Sequence, residues 1–226
     1  MERYNIFNLI HKGLRASLYQ TGLHLQQTDF TDAGEVETAI EKVREIALLF
    51  HGHAHKEDHF ILPAVSEYEP AVCAAFESEH EADARLADQL NACIGRLEEA
   101  ATDTDKIAAG CRLSEAFVAF TIFNLQHMAK EEDILNRLLW RYYTDDEIRA
   151  ISGRLSASVE PWMQEYYAKW MLRGINNTEA ATWMKAIERG MPPIVYQTLL
   201  TKAEEELPAQ RFRAVCRSLQ QSALTN

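Results

Sequence analysis

Apolar residues recur at helical spacing along almost the whole chain. From about residue 4 to 27, Phe7, Leu14, Leu18 and Leu25 fall on one stripe. Residues 28–34 are rich in turn formers and interrupt the pattern. A second helix is predicted from about 35 to 67, with Pro63 kinking its end, and a third from Pro70 to about 101. After a polar break at 102–105, a fourth spans about 105 to 142. Short links between long helices make the neighbours antiparallel, so the expected fold is all-α, an up-down four-helix bundle over residues 1–143. Thr144-Asp145-Asp146-Glu147 reads as a capping box opening another helix. Breaks at 173–177, 190–193 and 207–208 divide the remainder into shorter helices. Residues 144–226 carry Trp162, Trp170 and Trp183, apolar surface that needs covering, and are expected to be a helical extension packed on the bundle.

Polar residues interrupt the apolar stripes at specific places. At about 100° per residue, Ile46, Leu49, Phe50, His53, Glu57, Phe60, Ile61 and Ala64 line one face of the second helix. His51 and His55 lie about 200° from His53, and these two and His59 are expected to be exposed. On the fourth helix the stripe is Phe120, Asn124, His127, Glu131, Ile134 and Leu138; on the third it is Cys73, Phe76, His80, Asp83, Ala87, Leu90 and Ile94. His11 shares the first helix's stripe with Phe7, Leu14 and Leu18, whereas His24 lies well round from it. Two helices thus repeat His-x-x-x-Glu on the inward face, and two more supply an inward histidine. Burying His11, His53, His80, His127, Glu57 and Glu131 together is too unfavourable for structural reasons alone, and a dinuclear metal centre is the economical explanation. A rival reading uses His51/His55 or His55/His59, which also have chelate spacing, as a weak surface site.

Composition narrows the partners. A net charge of -11 and the lack of a basic patch with interleaved aromatics argue against nucleic acid or an anionic membrane. The N-terminus lacks the charged-then-apolar pattern of a secretory signal, and no stretch reads as the roughly 18–20 apolar residues of a membrane helix. Four scattered cysteines without a C-x-x-C pair, three of them on apolar stripes, read as small core residues. The expected location is the cytoplasm.

The residues resemble the hemerythrin family, in its HHE cation-binding branch. His53-Ala54-His55-Lys56-Glu57, followed by an aliphatic run to Pro63, is similar to the family's second-helix motif, and that proline fixes the register on His53 and Glu57. Glu77-Ser78-Glu79-His80-Glu81 resembles the start of the third helix, and His127-Met128-Ala129-Lys130-Glu131 the fourth-helix motif. His11, followed by Lys12-Gly13-Leu14-Arg15, fits the first-helix ligand. Oxygen carriers of the family have a second histidine where this chain has Ala84, and end their ligand set on an Asp at longer spacing where this chain has Glu131.

The resemblance implies two iron ions, each with two histidines, bridged by Glu57 and Glu131 and by an oxo or hydroxo group. Ligand softness also admits manganese or zinc. Arg15 and Asp83, each one turn from a ligand, are candidates to support the ligands. The implied function is binding of a small diatomic or peroxide ligand (dioxygen, nitric oxide or peroxide) by a sensor, scavenger or store. The alternatives are a di-iron oxidoreductase (peroxidase, oxidase or nitric oxide reductase) or an iron-responsive regulator. The C-terminal extension is the expected surface for a homodimer or protein partner.

Overall fold

The computed structural model describes residues 3–221. They are helical throughout, with no strand among the described residues. The order is α1 (Asn8–Gln27), α2 (Ala33–Lys56), a π-turn (Glu57–Ile61), α3 (Leu62–Ser66), α4 (Pro70–Glu99), α5 (Asp103–Lys130), a second π-turn (Glu131–Leu135), α6 (Asn136–Tyr142) and α7 (Asp145–Ala157). Four shorter helices follow: α8 (Pro161–Gly174), α9 (Asn177–Gly190), α10 (Pro193–Glu206) and α11 (Ala209–Gln221).

Local chemistry sets the boundaries. Asp32 accepts from the Gly34 and Glu35 amides at the start of α2, and Thr102 accepts from Asp105 at the start of α5. The predicted capping box at Thr144 and Glu147 is formed, and Asn176 and Glu179 make a second one. Prolines open α4, α8 and α10, where a missing N–H is tolerated. α1 starts later than the periodicity predicts. Arg3 donates to the carbonyls of Trp140 and Tyr143 and pairs with Asp145, while the Tyr4 amide donates to Asp145, so this segment bonds to the end of α6 and start of α7 instead of continuing the helix.

The chain divides into two compact units. One comprises the chain up to Phe7 and Ser17–Val159; the other comprises Asn8–Ala16 and the chain from Glu160 onward. The division differs from the sequence boundary at 143/144 because α7 belongs to the first unit: Ile148 and Ile151 pack with Phe7, Ile61, Leu62, Phe76, Leu135 and Leu139. Residues 1–2 and 222–226, the outer ends of the two predicted domains, lie outside the described residues. In the first unit, Phe30 from the α1–α2 link covers Gly110 of α5, and Phe50 meets Phe120 edge-on with centroids 5.4 Å apart.

Two expectations need correction. The helix Asp103–Tyr142 is, by length and composition, apolar enough to cross a membrane, contrary to the reading that no stretch is. It passes because α5 is apolar outside as well as inside: Ile107, Val118 and Ile122 are exposed while Phe117 and Phe120 are buried, and the same helix carries buried Asn124, His127 and Glu131. Of the cysteines only Cys73 is buried; Cys93 and Cys216 are half-buried and Cys111 is exposed.

In the second unit the first turns of α1 lie against α8. A methyl group on Gly174 would overlap the Lys12 carbonyl oxygen, and one on Gly13 would crowd the Trp170–Met171 backbone. Glu179 accepts from Asn8 Nδ2 at 3.0 Å, from Lys12 Nζ at 2.5 Å and from the Asn176 amide at 3.0 Å. Burial raises its pKa, but Lys12 and the Asn176 and Asn8 donors outweigh that and hold it below the ordinary value. Gly174→Ala should destabilise this unit by about 1–3 kcal/mol, read as a lower denaturant midpoint. Because the folded pKa of Glu179 is depressed, its stabilisation is complete above the ordinary carboxylate pKa and is lost as pH falls through the depressed value. Glu179→Gln should therefore cost roughly 1–2 kcal/mol at neutral pH, and the gap to wild type should close in acid melts.

Candidate metal centre

Three helical rods of the first unit converge on one buried cluster. α2 supplies His53 and its π-turn supplies Glu57; α4 supplies His80; α5 supplies His127 and its π-turn supplies Glu131. All five side chains are buried, Glu57 to 1% and Glu131 to 0% relative exposure. His53 Nε2 lies 3.1 Å from Glu57 Oε1, while the other oxygen, Oε2, faces His80 Nε2 at 3.5 Å. Glu131 Oε1 lies 3.1 Å from His127 Nε2 and 3.8 Å from His80 Nε2. Glu57, His80, His127 and Glu131 each present a ligand atom within 4.8 Å of the others, and His53, Glu57 and Glu131 do the same. Each glutamate therefore stands between imidazoles from different helices.

Both glutamates also open a π-turn. The Leu62 amide donates to the Glu57 carbonyl and the Asn136 amide to the Glu131 carbonyl, each five residues back. Pro63 closes the first π-turn, but Arg137 stands at the matching place in the second, so proline is not the common cause. What the two share is the His-x-x-x-Glu pair, in keeping with the concentration of π-turns at functional sites.

The outer nitrogens show how the rings are aimed. His80 Nδ1 lies 2.6 Å from Asp58 Oδ1, and His127 Nδ1 lies 2.8 Å from Glu79 Oε2. Ionised carboxylates only accept, so both Nδ1 atoms donate. In the neutral ring the bare lone pair is then on Nε2, pointing at the cluster. Neither buried Nε2 makes a hydrogen bond. Lys130 pairs with Glu79 at 2.6 Å and steadies that anchor. Phe76 meets the His127 ring edge-on, Phe123 stacks near it, and both keep that side apolar.

Burial opposes charging His80, but the Asp58, Glu131 and Glu57 carboxylates overcome it and push its pKa up to about 12. His127 is also raised, with burial outweighed by Glu131 and Glu79. Protons thus balance the carboxylates when no cation does, and a cation taking the Nε2 lone pairs releases them. Two buried carboxylates among nitrogen donors with anchored rings fit a metal ion by donor chemistry and by aim.

The remaining sequence candidates sort cleanly. His51, His55 and His59 are exposed as expected, and His24 is half-buried. Gly52, between His51 and His53, is buried. His11 is buried on the α1 stripe with Leu14 and Leu18, in the stretch Asn8–Ala16 that groups with the second unit. Asp83 is buried and accepts from Asn124 Nδ2 at 2.6 Å, and burial raises its pKa. Ala84 is exposed, so the buried place one turn beyond His80 belongs to Asp83. Arg15 is half-buried. Sequence reasoning missed Asp58 and Glu79. Their only signal is adjacency: Asp58 follows Glu57, and Glu79 precedes His80.

Residues 3–139 match the family model described as the hemerythrin HHE cation binding domain. The chain belongs to the hemerythrin family. Among curated proteins, the F-box/LRR-repeat protein 5 of Salmo salar is similar to it, 21% identical over 152 residues, covering 67% of this chain and 21% of that protein. The chain spans about a fifth of that relative's length. No solved structure matches. The matched region of this hemerythrin-family chain holds both glutamates, all four inward histidines and the two anchoring carboxylates. Asp58→Asn and Glu79→Gln should each weaken metal binding by about 10- to 100-fold, measured by competition with a chelator, while the helical circular dichroism of the metal-free protein stays unchanged.

Proposed function

We propose that the chain is a non-haem di-iron protein that binds a small ligand, dioxygen, nitric oxide or peroxide, as a sensor, scavenger or store. The observation that carries this reading is Glu57, whose two oxygens face imidazoles from two different helices, as a carboxylate shared by two cations would. Glu131 also stands between imidazoles of two helices, with His127 and His80 both against its Oε1. In this reading His11, His53, His80 and His127, with Glu57 and Glu131, would hold the iron. Family membership over residues 3–139 and the burial of His11 support its inclusion. Imidazole with carboxylate suits iron, and manganese or zinc by the same donor chemistry. Bound iron would supply redox-active cations with positions left for a small ligand. The chain's own part is to fix the donors, keep the surroundings apolar through Phe76 and Phe123, and hold the ring tautomers through Asp58 and Glu79.

Anaerobic iron loading should give about two irons per chain, with an optical change on admitting air or nitric oxide. Glu57→Gln or Glu131→Gln should abolish stable loading, and His11→Ala should leave about one iron. Loading well below one iron per chain in the wild type would sink the dinuclear reading. Steady consumption of peroxide or nitric oxide would replace the binding role with an enzymatic one.

A further inference from the structure

Of the segment from His51 to His59, the buried cluster uses His53, Glu57 and Asp58. His51, His55 and His59 face solvent on the other side. The His55 and His59 rings lie with centroids 4.1 Å apart at an interplanar angle of 46°. His59 Nδ1 sits 2.8 Å from the His55 carbonyl oxygen. A carbonyl only accepts, so Nδ1 carries the proton and the Nε2 lone pair of His59 is bare. The same device sets the buried rings: one nitrogen tied, the other left to coordinate. Here a backbone carbonyl replaces the carboxylate.

We propose that His55 and His59 form a second, outer site for a divalent transition cation of the borderline class, such as Zn2+ or Ni2+. Histidines four apart on a helix are a chelating pair, and imidazole selects these ions over Mg2+ or Ca2+. Nearby groups leave the pair as the donors on offer. Asp58 is held by His80, and the Lys56 ammonium, which would repel a cation, donates to the Ser158 carbonyl at 2.7 Å. His51, one turn earlier, extends the imidazole face. The position matters because His55 belongs to the last turn of α2 and His59 to the π-turn that begins at Glu57. A cation held by both ties the α-helical turn to the π-turn that aims the buried glutamate.

The site is tested on the full chain by Zn2+ titration with calorimetry and metal analysis, comparing wild type with His55→Gln/His59→Gln and with each single variant. The comparison does not depend on what the buried centre holds, since only the difference in capacity is read. Wild type should bind about one more equivalent than the double variant, and each single variant should weaken that step by at least the roughly tenfold that loss of a mere supporting partner costs. Circular dichroism and iron loading should be the same in all four proteins, so failure of the buried centre to load would leave this result readable. Equal Zn2+ capacity in wild type and double variant overturns the proposal. So does a step that saturates only at millimolar Zn2+, an adventitious ion only.

Discussion

The structure turns on the burial of two glutamates. Glu57 and Glu131 are shut away from water in a bundle whose core is mostly apolar. Desolvating each ionised carboxylate costs several kcal/mol even after relaxation, far more than one apolar contact returns. The arrangement is tolerable only if positive charge stands between the carboxylates, as imidazolium protons or as metal ions. The direction of the His80 and His127 pKa values records the same requirement, because carboxylates from three helical segments outweigh the burial that opposes charging those rings. A cation does this better than protons, since it can accept several lone pairs at once, and the rings are already turned to offer theirs.

The same requirement explains what was legible in the sequence. The His-x-x-x-Glu repeat on apolar stripes marks the centre because polar residues at core positions demand compensation. Helix starts were legible where a cap has a local signature, as at Thr144. The π-turns were not. A constant 100° per residue carries the fourth stripe from Glu131 to Ile134 and Leu138, whereas the buried residues are Leu135 and Leu139, with Ile134 exposed. On the second rod the stripe likewise moves from Ala64 to Val65. Each π-turn inserts one residue, so every inward position beyond it shifts by one. Nothing in local propensity announces this; it follows from how a glutamate must be aimed once it is buried.

Other misses have the same origin in long-range contact. Arg3 and Tyr4 leave the helical pattern because Asp145, Trp140 and Tyr143 offer better partners more than 130 residues away. Gly174 reads in sequence as part of a helix break and Gly13 carries no signal of its own, yet each is where a backbone passes too close for a Cβ. Ala84 looked like the absent second histidine of α4. Its exposure shows that the inward place at that level is held instead by Asp83, tied to Asn124. The ligand count at that position therefore reflects an occupied polar pair, not a gap.

The anchoring carboxylates also couple the donors to one another. Asp58 is covalently next to Glu57 but bonds to His80; Glu79 is next to His80 but bonds to His127. Each supporting bond thus runs from the neighbour of one ligand to the ring of the next, across α2, α4 and α5 in turn. Rotating the π-turn to move Glu57 drags Asp58 and loosens the His80 ring, and shifting α4 to move His80 drags Glu79 and loosens His127. The donors are therefore not independent, and a cation that seats on one glutamate finds the rings beyond it already constrained. Such coupling favours filling the centre as a unit, with the helices that supply it ordered by the same bonds.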